Sequence, residues 1–284
     1  MEIGLALSGG GIRGIAHAGV IKALEENDIK INYIGGTSAG SMVAALYAMG
    51  YSPDNIHTLF KRYAKKLVKI DKKILKQEIK NYIFKKDLKS NGLNDGEDFE
   101  VLYNSLAFEK GIKQIKDIEM PLIIPSIDIG NSKKYFFSSI EKEDTSYITD
   151  ITLGGAVRAS SSFPVIYKPF KYKEHLFLDG GILDNIPAKE IKNLGAGKVI
   201  SVRFDSNQVQ GESNIMDVAI KALDIMGDKI SEESLDSSDY IITVPTDGTG
   251  LLDIDKIEYC FKSGYETTKK EIEKLKQSLF ADET

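Results

Sequence analysis

Short apolar runs alternate with helical patterns over the first 50 residues. Ile3–Leu7 is an apolar run typical of a strand, and a helical pattern follows at about residues 13–26. Residues 31–34 repeat the strand pattern, and the small apolar residues of 38–49 predict a second helix. This β-α-β-α order predicts a parallel sheet covered by helices, with loops and functional side chains at the carboxyl ends of the strands.

The rest of the chain predicts further elements of the same kind. Strands are expected at residues 121–128, 133–139, 175–178, 198–204 and 240–244, and helices at 153–160, 187–194, 216–230 and 257–279. Residues 53–118 have a mainly helical, irregular pattern, which predicts a cap-like segment over the site. No linker divides the 284 residues, so we expect a single α/β domain, residues 1–284, with three α/β/α layers and a central, mostly parallel sheet.

Composition narrows the class of protein. The hydrophobic content of 42% is that of an ordinary globular protein. No run of 18 apolar residues and no basic segment before an apolar core is present, so neither a transmembrane helix nor a signal peptide is expected. The single cysteine, Cys260, fits a cytoplasmic location, and three scattered histidines predict no metal site.

Positive charge is concentrated in one segment of the chain. Between Lys61 and Lys89 the chain has twelve lysines and arginines against three acidic residues, although its net charge is −5. Such a run is most often a solvated helical face. The alternative is contact with an anionic lipid surface, where each basic residue contributes about 1 kcal/mol. Base-reading motifs and clustered aromatic residues are absent there, so nucleic acid is not an expected partner.

The segment Gly36-Thr37-Ser38-Ala39-Gly40 matches G-x-S-x-G between a predicted strand and a predicted helix. In that setting the serine occupies a sharp turn, the glycines make room for it, and its hydroxyl stands at the top of the sheet. We therefore interpret Ser38 as a nucleophile.

The loop Gly9-Gly10-Gly11-Ile12-Arg13-Gly14 has two interpretations. It matches a dinucleotide-binding G-x-G-x-x-G, but the second strand ends without the carboxylate that would hold a ribose. We favour the other interpretation, in which the N–H groups of Gly10 and Gly11 stabilise an oxyanion at a helix amino terminus. For Arg13, anchoring of the loop is favoured over binding of a phosphate headgroup.

A serine nucleophile needs a base, and the three histidines occupy no loop position where one is expected. Asp179 does, because it follows an apolar strand and opens Asp179-Gly180-Gly181. Asp179 either orders its own turn or acts as the base, in which case a desolvated cleft must raise its pKa from about 3.9. Asp184 and Asn185 are expected to cap the helix that starts near Pro187.

The glycine loop, the Ser38 turn and Asp179-Gly180-Gly181 stand in the order and spacing of the patatin-like phospholipase family, bacterial type, which the chain resembles from about Ile3 to Leu194. Two further segments are similar to that family, namely Ala156-Val157-Arg158-Ala159-Ser160 with Phe163-Pro164, and Asp184-Asn185-Ile186-Pro187.

The resemblance implies a patatin-like fold and a Ser-Asp dyad, with Ser38 as nucleophile and Asp179 as base. It also implies an oxyanion hole of Gly10, Gly11 and Ala39, supported by the motif residues Gly9, Arg13, Gly14, Gly36, Gly40, Gly180 and Gly181. The implied reaction is hydrolysis of phospholipids or lysophospholipids to release fatty acid, with no metal or organic cofactor.

Two alternatives remain, a small-ester or thioester hydrolase on the same dyad and a non-catalytic lipid-binding protein. A lipid substrate implies peripheral contact with a membrane, for which the segment between Lys61 and Lys89 is the candidate surface. The sequence leaves the oligomeric state open.

Overall fold

The structure, a computed structural model, describes residues 1–67, 92, 94–205, 222, 225–227, 229–230 and 232–280. Strands in these ranges form one sheet. They are β1 (Ile3–Leu7), β2 (Ile31–Gly36), β3 (Leu122–Asp128), β4 (Lys133–Ser138), β5 (Tyr147–Ile148), β6 (Phe170–Tyr172), β7 (His175–Asp179), β8 (Lys198–Phe204) and β9 (Tyr240–Val244).

The α-helices in the same ranges flank this sheet. They are α1 (Ala16–Glu25), α2 (Ala39–Ala48), α3 (Pro53–Leu67), α4 (Glu97–Glu109), α5 (Leu153–Ser160), α6 (Ala188–Leu194), α7 (Glu232–Leu235) and α8 (Ile257–Phe280). A short 3-10 helix, Gly11–Ile15, leads from the glycine loop into α1.

The centre of the sheet is parallel, as the sequence predicts. The strand order is β5-β4-β3-β2-β1-β8-β9, and β1 pairs in parallel with β2 on one side and β8 on the other. All five residues of β1 are buried, which is typical of a parallel strand covered on both faces.

Helices cover both faces of the sheet and create two apolar layers. Leu5 and Leu7 pack in the larger cluster with α1, α2 and α8. Ala6, which points to the other face, packs in a smaller cluster with Ile191 of α6 and Leu235 of α7. The predicted three-layer α/β/α class is therefore confirmed.

Strand β7 departs from the expected direction. It runs antiparallel to β3, whereas the sequence analysis assigned Asp179 to the carboxyl edge of parallel strands. Strand β4 pairs along one edge of β3. On the other edge, β2 pairs with the first part of β3, as far as Ile123, and β7 pairs with the last part. Strand β7 begins beyond the end of β3 and runs antiparallel to it, so that Asp179 lies opposite Ser126. Asp179 thus arrives close to the end of β2 from the opposite direction.

Some predicted elements differ in extent. The short strands β5 and β6 were not expected, and the β6–β7 hairpin turns at Lys173 with φ 52° instead of the usual Asn-Gly or Asp-Gly signal. The predicted helix at residues 216–230 and the cap-like segment at about 53–118 lie partly outside the described residues. The cap and the single domain stay predictions.

Candidate active site

Ser38 lies in a strained turn between β2 and α2. Its backbone has φ 52° and ψ −120°, a conformation that is rare for a residue with a Cβ. Its N–H donates to Ser160 Oγ at 3.1 Å, and its carbonyl accepts from Ser41 Oγ at 2.6 Å. Neighbouring hydroxyl groups therefore hold the turn on both sides of Ser38.

The two glycines of G-x-S-x-G are required by close packing in this turn. A Cβ on Gly36 would lie 2.4 Å from the carbonyl carbon of Gly40. A Cβ on Gly40 would lie 2.4 Å from the carbonyl oxygen of Leu7. The start of α2 consequently sits directly against the end of β1, where the glycine loop begins.

Asp179 ends β7 and is 1% exposed. Its Oδ1 accepts the N–H of Gly181 at 2.8 Å, so the carboxylate does order its own turn. Burial raises the pKa of Asp179 to about 7, and the opposing effects are the hydrogen bond from Gly181 and one from the Ser38 hydroxyl. A base with a pKa in this range is half ionised near neutral pH.

The second oxygen of Asp179 takes no part in ordering the turn. Oδ2 is buried and makes no close hydrogen bond with any residue that the structure describes. The Ser38 hydroxyl interacts with this carboxylate and lowers its pKa, and contacts of this kind often shorten when substrate binds.

The glycine loop is held by side chains from other parts of the chain. Gly9 N–H donates to Asn185 Oδ1 at 2.9 Å, and the buried Arg13 donates from Nε to the carbonyl of Gly10 at 3.1 Å. Within the described part of the chain, the N–H groups of Gly10, Gly11 and Ala39 have no hydrogen-bond acceptor. They are available to a negatively charged oxygen at Ser38.

Asp184 and Asn185 do not cap α6, contrary to the sequence expectation. The N-cap residue is Pro187, and no side chain caps it. Asn185 instead binds Gly9, and Asp184 Oδ2 lies 3.3 Å from Lys134 Nζ. Burial raises the pKa of Asp184 to about 6. Both side chains thus join the turn after β7 to other segments.

An apolar cleft opens beside Ser38 and Asp179. It is partly open to solvent, and both Ser38 and Asp179 belong to its lining. Helix α3 contributes Phe60 and Ala64 to its wall, and α4 contributes Phe99. The other apolar residues of the lining are Ile12, Ala39, Met42, Phe163, Ile166, Tyr167, Ile182, Leu251 and Leu252. A cleft of this composition suits a hydrocarbon chain.

The histidines make other contacts. His17 is buried and binds the carbonyl of Ser8 through Nε2 at 2.8 Å, and burial lowers its pKa to about 4. His57 stacks on Phe261, and His175 Nδ1 lies 2.8 Å from Asp128 Oδ2. The residues lining the cleft include none of the three. Among the described residues, no three His, Cys, Asp or Glu side chains are grouped closely enough to hold a metal ion.

Sequence reasoning missed the contacts of Ser160, Ser162 and Asn185. The family-like segments at 156–164 and 184–187 pointed to these stretches but not to what the side chains bind. No helix in the described ranges is long and apolar enough to cross a membrane.

Comparison with known proteins identifies the family of this chain. The patatin-like phospholipase family model matches residues 5–191. The lysophospholipase NTE1 of Meyerozyma guilliermondii is 32% identical over 206 residues, which are 72% of this chain and 13% of that protein. The chain thus spans about an eighth of the length of the curated relatives it matches.

Solved structures share the fold at low identity. VipD from Legionella pneumophila superposes with a TM-score of 0.55 at 18% identity, covering 96% of this chain and 67% of that one. Human GIVD cytosolic phospholipase A2, in complex with methyl γ-linolenyl fluorophosphonate, gives 0.50 at 10% identity, covering 99% and 59%. Since the family model matches well over half of the residues, the chain belongs to the patatin-like phospholipase family.

Proposed function

We propose that this chain is a serine acyl-ester hydrolase that cleaves phospholipids or lysophospholipids through Ser38 and Asp179 and releases fatty acid. The observation that carries the proposal is the buried Asp179, whose pKa of about 7 suits a general base, beside a serine in a strained turn. The names of the relatives, a lysophospholipase and a phospholipase A2, support the same class of reaction.

Acylation begins when Ser38 Oγ attacks the ester carbonyl while its proton passes to Asp179. The carbonyl electrons move to the oxygen, which the N–H groups of Gly10, Gly11 and Ala39 stabilise. The carbonyl then re-forms, the bond to the alkoxy oxygen breaks, and Asp179 returns the proton to the departing alcohol. The products of this half-reaction are the alcohol and an acyl ester on Ser38.

Deacylation repeats the same steps with water. Asp179 takes a proton from a water molecule, whose oxygen attacks the acyl carbonyl, and the oxyanion again faces Gly10, Gly11 and Ala39. The bond to Ser38 Oγ breaks, Ser38 regains its proton from Asp179, and a fatty acid leaves. Asp179 alternates between base and acid, which a pKa near 7 favours in both directions.

The cleft supports an acyl chain as the recognised group. Phe60, Phe99 and Ile166 form apolar walls, and among the described residues Asp179 is the only charged residue in the lining. A long acyl chain buries more apolar surface against these walls than a small ester does, so the lining favours a long-chain lipid over the small-ester alternative.

A serine-reactive alkyl fluorophosphonate tests the chemistry. We expect the intact chain and Ser139→Ala to be labelled and Ser38→Ala to remain unlabelled. Ser139 is a matched control, because its buried hydroxyl accepts the N–H of Leu122 far from the site. Absence of labelling in the intact, folded chain would contradict the proposal and favour a non-catalytic lipid-binding protein.

Product analysis then tests the substrate class. Mass spectrometry of a mixed lipid extract incubated with the protein should show free fatty acid and a deacylated lipid. Asp179→Asn should lower the rate by about 100- to 10,000-fold, the usual contribution of a general base. Hydrolysis of soluble short esters with no attack on phospholipid or lysophospholipid would favour the small-ester alternative.

We also propose peripheral contact with anionic membranes through the segment between Lys61 and Lys89. Residues 68–91 lie outside the described part of the chain. At the start of the segment, α3 directs Phe60 and Ala64 to the cleft, while Lys61, Arg62 and Lys65 are exposed. Sedimentation with phosphatidylserine vesicles should weaken when these three residues are changed to Glu, and unchanged binding would exclude this surface.

A further inference from the structure

The end of α5 and the two residues after it contact both members of the proposed dyad, yet none of the steps above uses them. The helix end is the segment Ala156-Val157-Arg158-Ala159-Ser160, to which the sequence analysis assigned no role. Ser160 bonds to Ser38, and Ser162, two residues after the helix, bonds to Asp179. One turn of chain therefore touches the nucleophile and the base together.

On the nucleophile side the contact is made by a side chain. Ser160 is fully buried, and its Oγ accepts the N–H of Ser38 at 3.1 Å. Ser38 is the N-cap of α2 and has a positive φ, so this N–H has no place in the hydrogen-bond pattern of the helix. Loss of the acceptor would let the turn rotate and carry Ser38 Oγ away from Asp179.

On the base side the contact is made by the backbone. The N–H of Asp179 donates to the carbonyl of Ser162 at 3.1 Å. The Ser162 hydroxyl makes two hydrogen bonds with Arg158. Its Oγ accepts from Nη1 at 2.6 Å and donates to the Arg158 carbonyl at 2.9 Å. The position of Asp179 thus depends on Ser162, and that of Ser162 on Arg158.

The Arg158 side chain links three segments of the chain through hydrogen bonds to Asp95, Ser162 and Lys168. It is 2% exposed, and its guanidinium donates from Nε to the Asp95 carbonyl at 2.7 Å and from Nη2 to the Lys168 carbonyl at 2.6 Å. A Cβ on Gly96 would overlap the guanidinium, so the chain packs tightly around it. The planar fork of arginine supplies several donors in fixed directions, which the single ammonium group of lysine does not.

We propose that residues 158–162 form the positioning unit of the dyad: Ser160 orients Ser38, and Arg158, acting through Ser162, orients Asp179. These are positioning residues, since they act on the dyad and not on the substrate. The inference rests on the proposed dyad and assigns the segment a function in setting its geometry.

The test compares Ser160→Ala with Ser139→Ala in the intact chain. Each removes a buried hydroxyl that accepts a backbone N–H, so both should lower the melting temperature. Only Ser160→Ala should lower the maximal rate of inactivation by an alkyl fluorophosphonate, by about 10- to 100-fold, because a displacement of about 1 Å has an effect of that size. The concentration giving half of the maximal rate should not change, because the cleft is intact.

The orientation of Asp179 is tested with Arg158→Lys and Ser162→Ala, and Arg203→Lys is the control. Arg203 is exposed on β8 and bonds to Thr243, so its replacement should leave the inactivation rate unchanged. Both test variants should slow inactivation without moving the pH at which it is half maximal. Ser162→Ala removes a single hydroxyl group, so it tests the orientation of Asp179 even if Arg158→Lys does not fold.

The outcomes separate the inference from the proposed function. If the intact chain is labelled at Ser38 and folded Ser160→Ala reacts at the same rate, the positioning unit is disproved and the hydrolase remains. If the intact chain is not labelled, the proposed function is contradicted, and the inference that depends on it is contradicted with it. Equal loss of rate in Ser139→Ala and Ser160→Ala would show a general effect on stability and overturn the assignment.

Discussion

Asp179 is held where its charged form is poorly solvated. Among the described residues, Gly181 and the Ser38 hydroxyl stabilise the carboxylate, and burial outweighs them, so the pKa of Asp179 rises to about 7. A carboxylate at the usual pKa of about 3.9 would be ionised at neutral pH but would be a weak base towards a serine hydroxyl. In the proposed dyad, the environment of this one side chain gives Asp179 the role that a histidine has in an ordinary serine hydrolase.

The first prediction concerns the pH dependence of the reaction. Since Asp179 must be ionised to accept the proton of Ser38, kcat/KM should rise about tenfold per pH unit below pH 7 and level off above it. Initial rates on a soluble ester, measured between pH 5 and 9, check this. A plateau that extends down to about pH 5 would contradict the assignment of Asp179 as the base.

The second prediction concerns the free energy of unfolding. Because the folded state binds the Asp179 proton more tightly than the unfolded state, this group lowers stability as pH rises from about 4 to about 7. Asp179→Asn should therefore be more stable than the intact chain at pH 8, by roughly 2 to 4 kcal/mol, and the difference should close towards pH 4. Urea unfolding at pH 4, 6 and 8 measures it.

At the scale of the element, a close crossing of two helices supports the sheet on the side of the site. A Cβ on Gly264 of α8 would lie 2.1 Å from the carbonyl oxygen of Ala16, and one on Gly19 of α1 would lie 2.1 Å from that of Phe261. Helix α1 continues the short 3-10 helix that begins in the glycine loop. The crossing therefore fixes the helix that follows the proposed oxyanion hole.

The third prediction is that Gly264→Ala separates α1 from α8. Alanine is ordinarily the better helix former, but here its methyl group overlaps a backbone carbonyl that cannot move freely. We expect a loss of about 1 to 3 kcal/mol in the free energy of unfolding. Lys262→Ala, at an exposed position of the same helix, should stay within about 0.5 kcal/mol. Equal stability of the two variants would contradict the packing described.

At the scale of the whole molecule, the cleft combines segments that are far apart in the chain. Its wall takes Phe60 from α3, Phe99 from α4, Ile166 from the loop after α5, and Leu251 from the segment before α8. Ser38 and Asp179 belong to the same lining. In the proposed reaction, the assembled fold therefore sets the length of hydrocarbon that can bind beside them.

The fourth prediction is a dependence of reactivity on chain length. In a series of alkyl fluorophosphonates, the inactivation rate at low concentration should rise about three- to fourfold per added methylene until the cleft is filled, since each buried CH₂ contributes about 0.8 kcal/mol. Phe99→Asp, which places a charge in the wall, should flatten the series. Equal rates for short and long chains would exclude the cleft as the acyl site.

Much of this protein can be predicted from local sequence. The Ser38 turn and the glycine loop each consist of a strand, a few residues and a helix, so neighbouring residues specify their geometry. The central parallel strands follow from buried apolar runs such as Ile3–Leu7, and Asp179 was identified because it ends such a run. The order of the three motifs was enough to place the chain in its family.

Tertiary structure alone decided how these parts meet. The bond from Gly9 to Asn185 and the contact of Ser160 with Ser38 join residues more than 100 positions apart. The reversed strand β7 pairs with a strand about 50 positions earlier in the chain. The pKa of Asp179 likewise depends on what covers it. Short-range patterns determine backbone conformation, but burial and hydrogen bonding across the sheet exist only when distant segments pack, and they convert Ser38 and Asp179 from two motif residues into a proposed catalytic pair.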